Sequence, residues 1–380
     1  MRHQNSVLHG LLKHLAWDEF DGLVETHGAD KRQRGFTAKT HLVAMIYGQL
    51  CGAVSLREIE AGLSSHAARC YHLGIGAVRR SSLAEANAYR PSALFADFLA
   101  VMMKRAHRGL RRKLDGITYL IDSTSLTLTS RSAKWARFSA ELCGAKAHIV
   151  YDPDADQPVY MVVTPAKAHD ITPAKAMPIE PGATYVFDLG YYDYAWWAAL
   201  DHQGCRLVTR LKQNTPLTVS ETRSVPPGGA ILSDRIGYLP ARQAKNRKNP
   251  FAKMVREVCV KIDTGKVLRI VTNDLTAPAQ EIADLYKLRW AIELFFRWIK
   301  QTLKITRFLG TSENAIRIQI AVALITFLIL RLAQATQQTV TSPLTFARLI
   351  RINLMHKRDI RTLLQPERAP SANQHQLAFL

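Results

Sequence analysis

Cysteine is scarce in this sequence, and acidic residues are few relative to basic ones. The 380 residues include five cysteines, and their odd number without any CxxC pair argues against a disulfide framework. Reduced thiols of this kind are typical of an intracellular protein. Asp and Glu number 31 against 51 Lys and Arg, so the formal charge is +20. Because 47% of the residues are hydrophobic, a disordered basic tail is excluded, and a packed protein with a polyanionic partner, by default nucleic acid, is indicated.

Long hydrophobic runs are also missing. The longest hydrophobic run covers residues 320–330 and is bounded by Gln319 and Arg331. This run is too short to span a bilayer, and it predicts a buried core helix. The first residues contain no apolar run long enough for a secretory signal. We therefore expect no membrane association and a cytoplasmic location.

Residues 1–110 have the pattern of a helical domain. Leu42, Met45, Ile46 and Leu50 recur at spacings of three and four residues, and a second helix is predicted just after them, around residues 56–63. Basic clusters flank these helices, at residues 31–34, 79–80 and 104–113. A DNA-binding domain is one interpretation of residues 1–110, and a set of ordinary solvated charged faces is the other.

From about residue 114 the pattern changes to short strands. Residues 117–128 alternate at period two, and residues 146–151 and 158–163 predict a hairpin around the turn DPDADQ. A fourth strand at 184–187, a helix at 194–202 and a fifth strand at 206–211 follow. This is the element order of an RNase H-like α/β core.

The remaining segments complete the predicted organisation. Residues 212–279 combine Pro- and Gly-rich turns with strand-like runs and predict a β-rich insertion in the core. A long helix at 280–305 and an apolar helix at 315–335 are expected next. The predicted domains are a helical domain at 1–110, a catalytic domain at 114–340 and a loosely packed tail at 357–380.

Two aspartates interrupt buried strand patterns. Asp122 lies within the first strand, in the run YLIDST, and Asp188 closes the fourth strand, in YVFDLG. A buried carboxylate costs free energy unless it is paired or binds a cation. The alternative for either residue alone is a helix cap.

A third acid lies on the predicted long helix. At about 100° per residue, Tyr286, Arg289, Glu293 and Lys300 fall within an arc of about 60°, at the edge of the apolar face. An ordinary amphipathic helix with flanking salt bridges explains the apolar face. It gives no reason for aligning these four polar side chains.

The spacing Tyr286-x2-Arg289-x3-Glu293-x6-Lys300 resembles the Tyr-Arg-Glu-Lys signature of the insertion-sequence-4 type of DDE transposases. Asp122 and Asp188 are similar to that family's two aspartates, and the separations of 66 residues between them and 105 residues to Glu293 leave room for the family's β-rich insertion. One departure is Leu189, where many relatives have Arg.

The resemblance implies a bacterial, nucleoid-associated DNA transposase that binds the ends of its insertion sequence and cuts and transfers strands. It implies that Asp122, Asp188 and Glu293 hold two Mg²⁺ ions, with Mn²⁺ as a substitute, and that the active form is a homodimer on double-stranded DNA. Tyr286, Arg289 and Lys300 would hold phosphates. Two-metal phosphoryl transfer needs hard oxygen ligands, and three carboxylates supply them.

Other functions stay open on the sequence alone. One alternative is an inactive or domesticated DNA-binding protein, which would not need the three acids. Another is a metal-dependent nuclease of the same fold, which would have less need of the polar stripe from Tyr286 to Lys300 to hold a cleaved end. His148, and His169 with Asp170, could form a general base, but two-metal chemistry does not require one. Ser123 has no His at a diagnostic spacing, which argues against a serine hydrolase.

Overall fold

The computed structural model describes residues 5–31, 35–110, 116–137, 139, 143–242, 248–302, 308–337 and 339–364. The chain forms two compact units, one of residues 1–94 with 322–380 and one of residues 95–321. Parts of the predicted basic clusters, at residues 32–34 and 111–113, lie outside the described residues. The end of the predicted tail, from residue 365, also lies outside them.

The described part of the first unit is helical, and the second unit combines helices with strands. Their bounds in chain order are α1 Val7–Leu12, α2 Trp17–Thr26, α3 Ala38–Cys51, α4 Leu56–Ser65, α5 Ala67–Cys70, α6 Arg80–Tyr89, α7 Ser92–Leu110, α8 Ala133–Ala136, α9 Ile171–Ala176, α10 Tyr194–His202, α11 Ala279–Leu288, α12 Trp290–Thr302, α13 Glu313–Ala335 and α14 Pro343–Asn353. The helical character predicted for residues 1–110 is confirmed.

Helix α3 is the central element of the first unit. The Thr37 side chain caps its start by accepting from the Thr40 backbone N–H, and Gly52 ends it in a left-handed conformation with a φ of 74°. The predicted face, including Leu42 and Ile46, is buried, but so is most of the opposite face. A helix buried all round is a core helix rather than an amphipathic surface helix.

The C-terminal part of the chain belongs to the first unit. Backbone hydrogen bonds join Val7 N to His356 O at 3.0 Å and Leu8 N to Leu354 O at 2.8 Å. The Arg351 side chain donates to Leu50 O at 3.0 Å. The compact grouping thus differs from the predicted limits at 110, 340 and 357, because residues distant in sequence pair here. Which unit binds DNA stays a prediction.

The second unit is built on one sheet. Its described strands are β1 Thr118–Leu128, β2 Cys143–Asp152, β3 Gln157–Pro165, β4 Thr184–Phe187, β5 Arg206–Arg210, β6 Thr218–Arg223, β7 Ile231–Tyr238, β8 Met254–Lys261 and β9 Val267–Thr272. They lie in the order β3-β2-β1-β4-β5-β9-β8-β7-β6. Strands β1, β4 and β5 are parallel, and β2 and β3 form an antiparallel meander with β1.

The first five strands have the RNase H-like arrangement that the sequence predicts. One face of this part packs an aromatic core of Tyr185, Phe187, Tyr191, Trp196 and Trp197 beneath α9 and α10. The ring centroids of Phe187 and Trp196 lie 4.8 Å apart. This packing fixes the segment that follows β4, where Asp188 lies.

The β-rich insertion is confirmed and continues the same sheet. Strand β9 returns antiparallel to β5, with Val208 opposite Thr272, and β8, β7 and β6 follow outward. Strand β6 forms the far edge, and almost all of its residues are exposed.

The predicted single helix over 280–305 is wrong in one respect. It is two helices, α11 and α12, which meet at Arg289. Arg289 keeps right-handed helical angles, but the bonds there are tighter: Arg289 N donates to Tyr286 O and Ile292 N donates to Arg289 O. Such a local tightening of the helix cannot be predicted from hydrophobic periodicity. The Arg289 side chain at this position donates to the carboxylates of Asp122 and Glu293. Residues 303–305 of the prediction lie outside the described residues.

Helix α13 is long and apolar enough to cross a membrane by length and composition, and 83% of its most apolar window is buried inside the protein. Helices α3 and α4 pass the same test only as a pair, and they are bent by 98°. A buried core helix satisfies this test too, in agreement with the core helix predicted around residues 320–330.

Candidate active site

Asp122 lies where strand β1 passes under helix α12. The strand is buried up to Ile121, and the Asp122 side chain remains 16% exposed. Its Oδ1 accepts a hydrogen bond from the Ser123 backbone N–H at 2.8 Å. The pKa of Asp122 is raised to about 6, chiefly by burial; the charges of Asp188 and Glu293 contribute to the rise, whereas the Ser123 N–H and Arg289 oppose it.

Asp188 lies beside Asp122 for a topological reason. Strands β1 and β4 are parallel neighbours, and Ile121 pairs with Phe187, so the two aspartates follow at the same level. Asp188 Oδ1 accepts from the Gly190 backbone N–H at 2.7 Å as the chain enters the 3₁₀ turn Leu189–Tyr191. The sheet therefore brings together two acids that are 66 residues apart in sequence.

Glu293 is linked to Asp122 through Arg289. The Arg289 guanidinium donates to Asp122 Oδ2 at 3.1 Å and to Glu293 Oε1. The Arg289 side chain is only 15% exposed, so this charge is well shielded from solvent. The predicted stripe on α11 and α12 thus faces the aspartates of the sheet.

Tyr286 lies on the other side of Arg289. The Arg289 guanidinium carbon is 6.0 Å from the Tyr286 ring centroid, within cation–π range. Burial raises the pKa of Tyr286, whereas the charges of Arg210 and Arg289 lower it. Arg210, at the end of β5, is a basic residue that the sequence analysis missed, and its buried Nε has no hydrogen-bond partner among the described residues.

Lys300 lines a groove that also contains two of the acids. The groove has a volume of about 400 Å³, and its lining includes Asp122, Glu293, Arg297 and Lys300. Burial lowers the pKa of Lys300. The groove is open and includes the basic side chains of Arg297 and Lys300, which suits an extended anionic ligand better than a small apolar molecule.

Asp170 is the acid that the sequence analysis undervalued. Its Oδ1 accepts from Ser123 Oγ at 2.9 Å and from Lys146 Nζ at 3.0 Å, and it lies 3.6 Å from His148 Nδ1. His148 Nε2 lies 2.8 Å from Thr164 Oγ1, and burial lowers the pKa of His148 to about 4. His148 is therefore neutral near pH 7 and held structurally. No periodicity in the sequence marks Asp170, because the contact depends on strand pairing.

The donor set suits a divalent cation. Three carboxylates carry the hard oxygen ligands that Mg²⁺ prefers, and the guanidinium of Arg289 already places positive charge between Asp122 and Glu293. Within the described residues, no three His, Cys, Asp or Glu side chains converge tightly enough to share one ion as they stand. Asp122, Asp188 and Glu293 fit a metal provided that Arg289 releases its two partners.

An RNase H-like sheet with aspartates on two adjacent parallel strands, and a glutamate on a later helix, defines the DDE class of phosphoryl-transfer enzymes. Comparison with known families agrees. Residues 114–329 match the family model described as "Transposase DDE domain", and residues 3–76 match a "Domain of unknown function".

Two relatives in sequence give the same result. A protein of Sinorhizobium fredii named "Putative transposase y4zB" is 37% identical over 78% of this chain and 85% of its own length. "Probable transposase for insertion sequence element IS5377" of Geobacillus stearothermophilus is 29% identical over 69% of each chain. The solved synaptic complex of piggyBac transposase with hairpin DNA aligns with a TM-score of 0.48 and 11% identity, over 100% of this chain and 86% of that one.

This chain belongs to the DDE transposases of insertion sequences, and it is a DNA transposase. The family is metal-dependent and acts on DNA. The insertion-sequence-4 group, suggested by the Tyr-Arg-Glu-Lys spacing, is consistent with these matches.

Proposed function

We propose that this transposase binds the ends of its own insertion sequence and catalyses cut-and-paste cleavage and strand transfer at Asp122, Asp188 and Glu293. The observation that carries the proposal has two parts: Asp188 follows β4 at the level of Asp122 on the neighbouring parallel strand, and Arg289 bridges Asp122 to Glu293. Such a cluster of like charges raises the free energy of the empty site, and a bound cation relieves it.

The three acids would hold two Mg²⁺ ions, with Mn²⁺ as a substitute, and the ions would activate the attacking oxygen and stabilise the leaving one. The protein's own groups orient the DNA. Arg289, once released from its carboxylates, presents a planar fork that matches a phosphate. Tyr286 and Arg210 lie beside it, so they extend the same phosphate-binding surface.

Lys300 has a separate role in this proposal. It shares the groove with Asp122 and Glu293 but follows Glu293 by seven residues, about 10 Å along a helix. A long side chain at that distance suits a neighbouring phosphate of the cleaved end. Lys300→Ala is therefore expected to weaken strand transfer more than the first nick.

The partners follow from charge and from the reaction. A formal charge of +20 favours double-stranded DNA through counterion release, so binding should weaken steeply with salt. Transposition joins two ends, and a homodimer with one active site per end satisfies that need. The bacterial cytoplasm, at the nucleoid, is the compartment where this substrate lies.

The test is cleavage of end DNA by single-site variants. Asp122→Ala, Asp188→Ala and Glu293→Ala are each expected to reduce cleavage at least about 10³-fold, because each removes charge stabilisation from the transition state, while end binding is kept. Asp188→Cys should regain part of its activity with Mn²⁺ but not with Mg²⁺, since a thiolate is a poor ligand for Mg²⁺.

The matched control is Glu221→Ala, which removes an exposed acid from β6 at the far edge of the same sheet. It should cleave like the wild type. Near-normal cleavage by Asp188→Ala would overturn the site. Hydrolysis without strand transfer by the wild type would favour the nuclease, and end binding without cleavage would favour the inactive DNA-binding protein.

A further inference from the structure

Asp170 contacts side chains of two neighbouring strands, β1 and β2, next to the proposed metal site. It follows β3 and precedes α9, and its side chain is 23% exposed. Oδ1 accepts from Ser123 on β1 and from Lys146 on β2, and Lys146 also donates to Ala168 O at 3.2 Å. A carboxylate with a charged and a neutral donor on one oxygen is strongly held in place.

The other face of Asp170 meets the turn after β4. A Cβ atom placed on Gly190 would lie 3.2 Å from Asp170 Oδ2 and 3.0 Å from Asp188 Oδ1. The Gly190 backbone is thus packed between two carboxylates, and only a residue without a side chain leaves both of them undisturbed.

These contacts reach both aspartates through their sequence neighbours. Ser123 directly follows Asp122, and its backbone N–H donates to that carboxylate. Gly190 is two residues beyond Asp188, and its N–H donates to Asp188 Oδ1. Asp170 therefore holds the side chain of the residue that follows Asp122 and lies close to the turn whose backbone orients Asp188.

Resting on the proposed function, we propose that Asp170 is a positioning residue that sets the spacing of Asp122 and Asp188 for the metal ions. It binds no ion itself. Metal-binding carboxylates that are free to move lose conformational freedom when the metal binds, which lowers metal affinity. Contacts that fix such ligands beforehand commonly raise metal affinity about tenfold or more.

The test measures Mn²⁺ binding without DNA, from the rise in the unfolding temperature over a Mn²⁺ series, because a ligand of the native state stabilises it. Asp170→Ala is expected to weaken Mn²⁺ binding about tenfold, and to raise about tenfold the Mg²⁺ needed for half-maximal cleavage. End binding should not change. Asp170→Asn keeps an acceptor for Ser123 and Lys146, so it should lie closer to the wild type.

Asp193→Ala is the matched control. Asp193 is also an acid near Asp188 that accepts from a lysine, Lys175, at 2.7 Å, and its side chain is 27% exposed. Removing the Asp193 carboxylate removes a cap of α10 but leaves the contacts of Asp170 with Ser123 and Lys146 in place. The variant should therefore be less stable but have an unchanged Mn²⁺ midpoint.

A double variant provides a second measurement. If Ser123 and Asp170 act through one contact, Ser123→Ala should weaken Mn²⁺ binding alone and add little in the Asp170→Ala background. If Asp170→Ala does not fold, Ser123→Ala and Asp170→Asn carry the test. An unchanged Mn²⁺ midpoint in the folded variants would overturn the positioning role. Mn²⁺ binding and cleavage that survive in Asp188→Ala would instead overturn the proposed site itself.

Discussion

Arg289 acts as an internal counter-ion for the acids of the site. Its guanidinium bridges Asp122 and Glu293, the same groups that a divalent ion would contact. If the site binds metal and DNA as proposed, metal and arginine compete for these carboxylates, and DNA phosphate and the carboxylates compete for the arginine. Binding of metal and DNA should consequently reinforce each other, since each releases what the other needs.

Arg289→Met tests this competition. In the absence of DNA it should tighten Mn²⁺ binding, because the competing charge is gone, and it should weaken end binding by about 2 kcal/mol. The Mn²⁺ midpoint and the dissociation constant for end DNA check the two effects. Arg289→Lys, which keeps the charge but not the fork, should retain part of the end binding. Weaker Mn²⁺ binding in Arg289→Met would contradict the competition.

His41 gives the first unit a stability that depends on pH. It is fully buried, and His41 Nε2 and Asn87 Oδ1 lie 2.9 Å apart. Burial, and then the charge of Arg90, lowers the pKa of His41 to about 3, although Asn87 acts in the opposite direction. The unfolded chain thus binds a proton near pH 6.5 that the folded chain does not, so stability falls as the pH drops below that value.

The expected loss is about 2 kcal/mol between about pH 6.5 and pH 5. Urea unfolding of the wild type and of His41→Gln at both pH values measures it, and the variant should lose less on acidification. His72→Gln, at an exposed position, is the control and should behave like the wild type. Equal acid sensitivity of His41→Gln and the wild type would exclude His41 as the cause.

The inserted strands of the sheet are held by ion pairs as well as by apolar packing. Arg256 on β8 is 2% exposed and donates to both oxygens of Asp234 on β7, at 2.8 and 2.7 Å, and to Ala277 O. On β8, Glu257 is fully buried between Arg235 and Arg269. Arg256 and Glu257 are consecutive residues of β8, so their side chains lie on opposite faces of the sheet. Ion pairs therefore stabilise both faces of the inserted strands.

Asp234→Ala should therefore destabilise the protein by about 3–5 kcal/mol, because Arg256 stays buried without its carboxylate. The free energy of unfolding from urea titration checks the value. Arg223→Ala breaks an exposed ion pair with Glu221 in the same insertion and should cost less than about 1 kcal/mol. A loss in Asp234→Ala as small as that of Arg223→Ala would show that the buried pair is not structurally important.

At the scale of the whole molecule, the chain carries a helical unit and a unit built on the sheet that contains the candidate site. The exposed residues Arg79 and Arg80 of the first unit form one of the basic clusters for which DNA binding is one interpretation of the sequence. If the active form is a homodimer that cuts each end in trans, one subunit binds an end and the other subunit cuts it. A variant defective in binding and a variant defective in cutting could then complement each other.

Mixing subunits tests this arrangement. Glu293→Ala lacks a catalytic acid, and Arg79→Ala with Arg80→Ala should bind ends weakly. Each variant alone should cleave poorly, whereas mixtures should regain part of the cleavage, measured on labelled end DNA. The unmixed variants at the same total concentration are the controls. No recovery between subunits that are shown to fold and to bind as designed would contradict cutting in trans.

The sequence by itself determined most of the local elements and singled out the candidate acids. Alternation at period two predicted β1, and charged residues within buried strands marked Asp122 and Asp188, since desolvation makes such positions costly unless they have a purpose. The alignment of Tyr286, Arg289 and Glu293 was predictable because helical periodicity is local. The family resemblance then linked these residues to one reaction.

Only the tertiary structure decided which distant residues meet. The contacts of Asp170 with Ser123 and Lys146, the position of Arg210 beside Tyr286, and the return of the C-terminal residues to the first unit depend on strand register and packing. The contact of Arg289 with Asp122, 167 residues away in sequence, depends on the same packing. Periodicity describes interactions a few residues apart, whereas these contacts join segments separated by tens to hundreds of residues, so only the folded chain determines them.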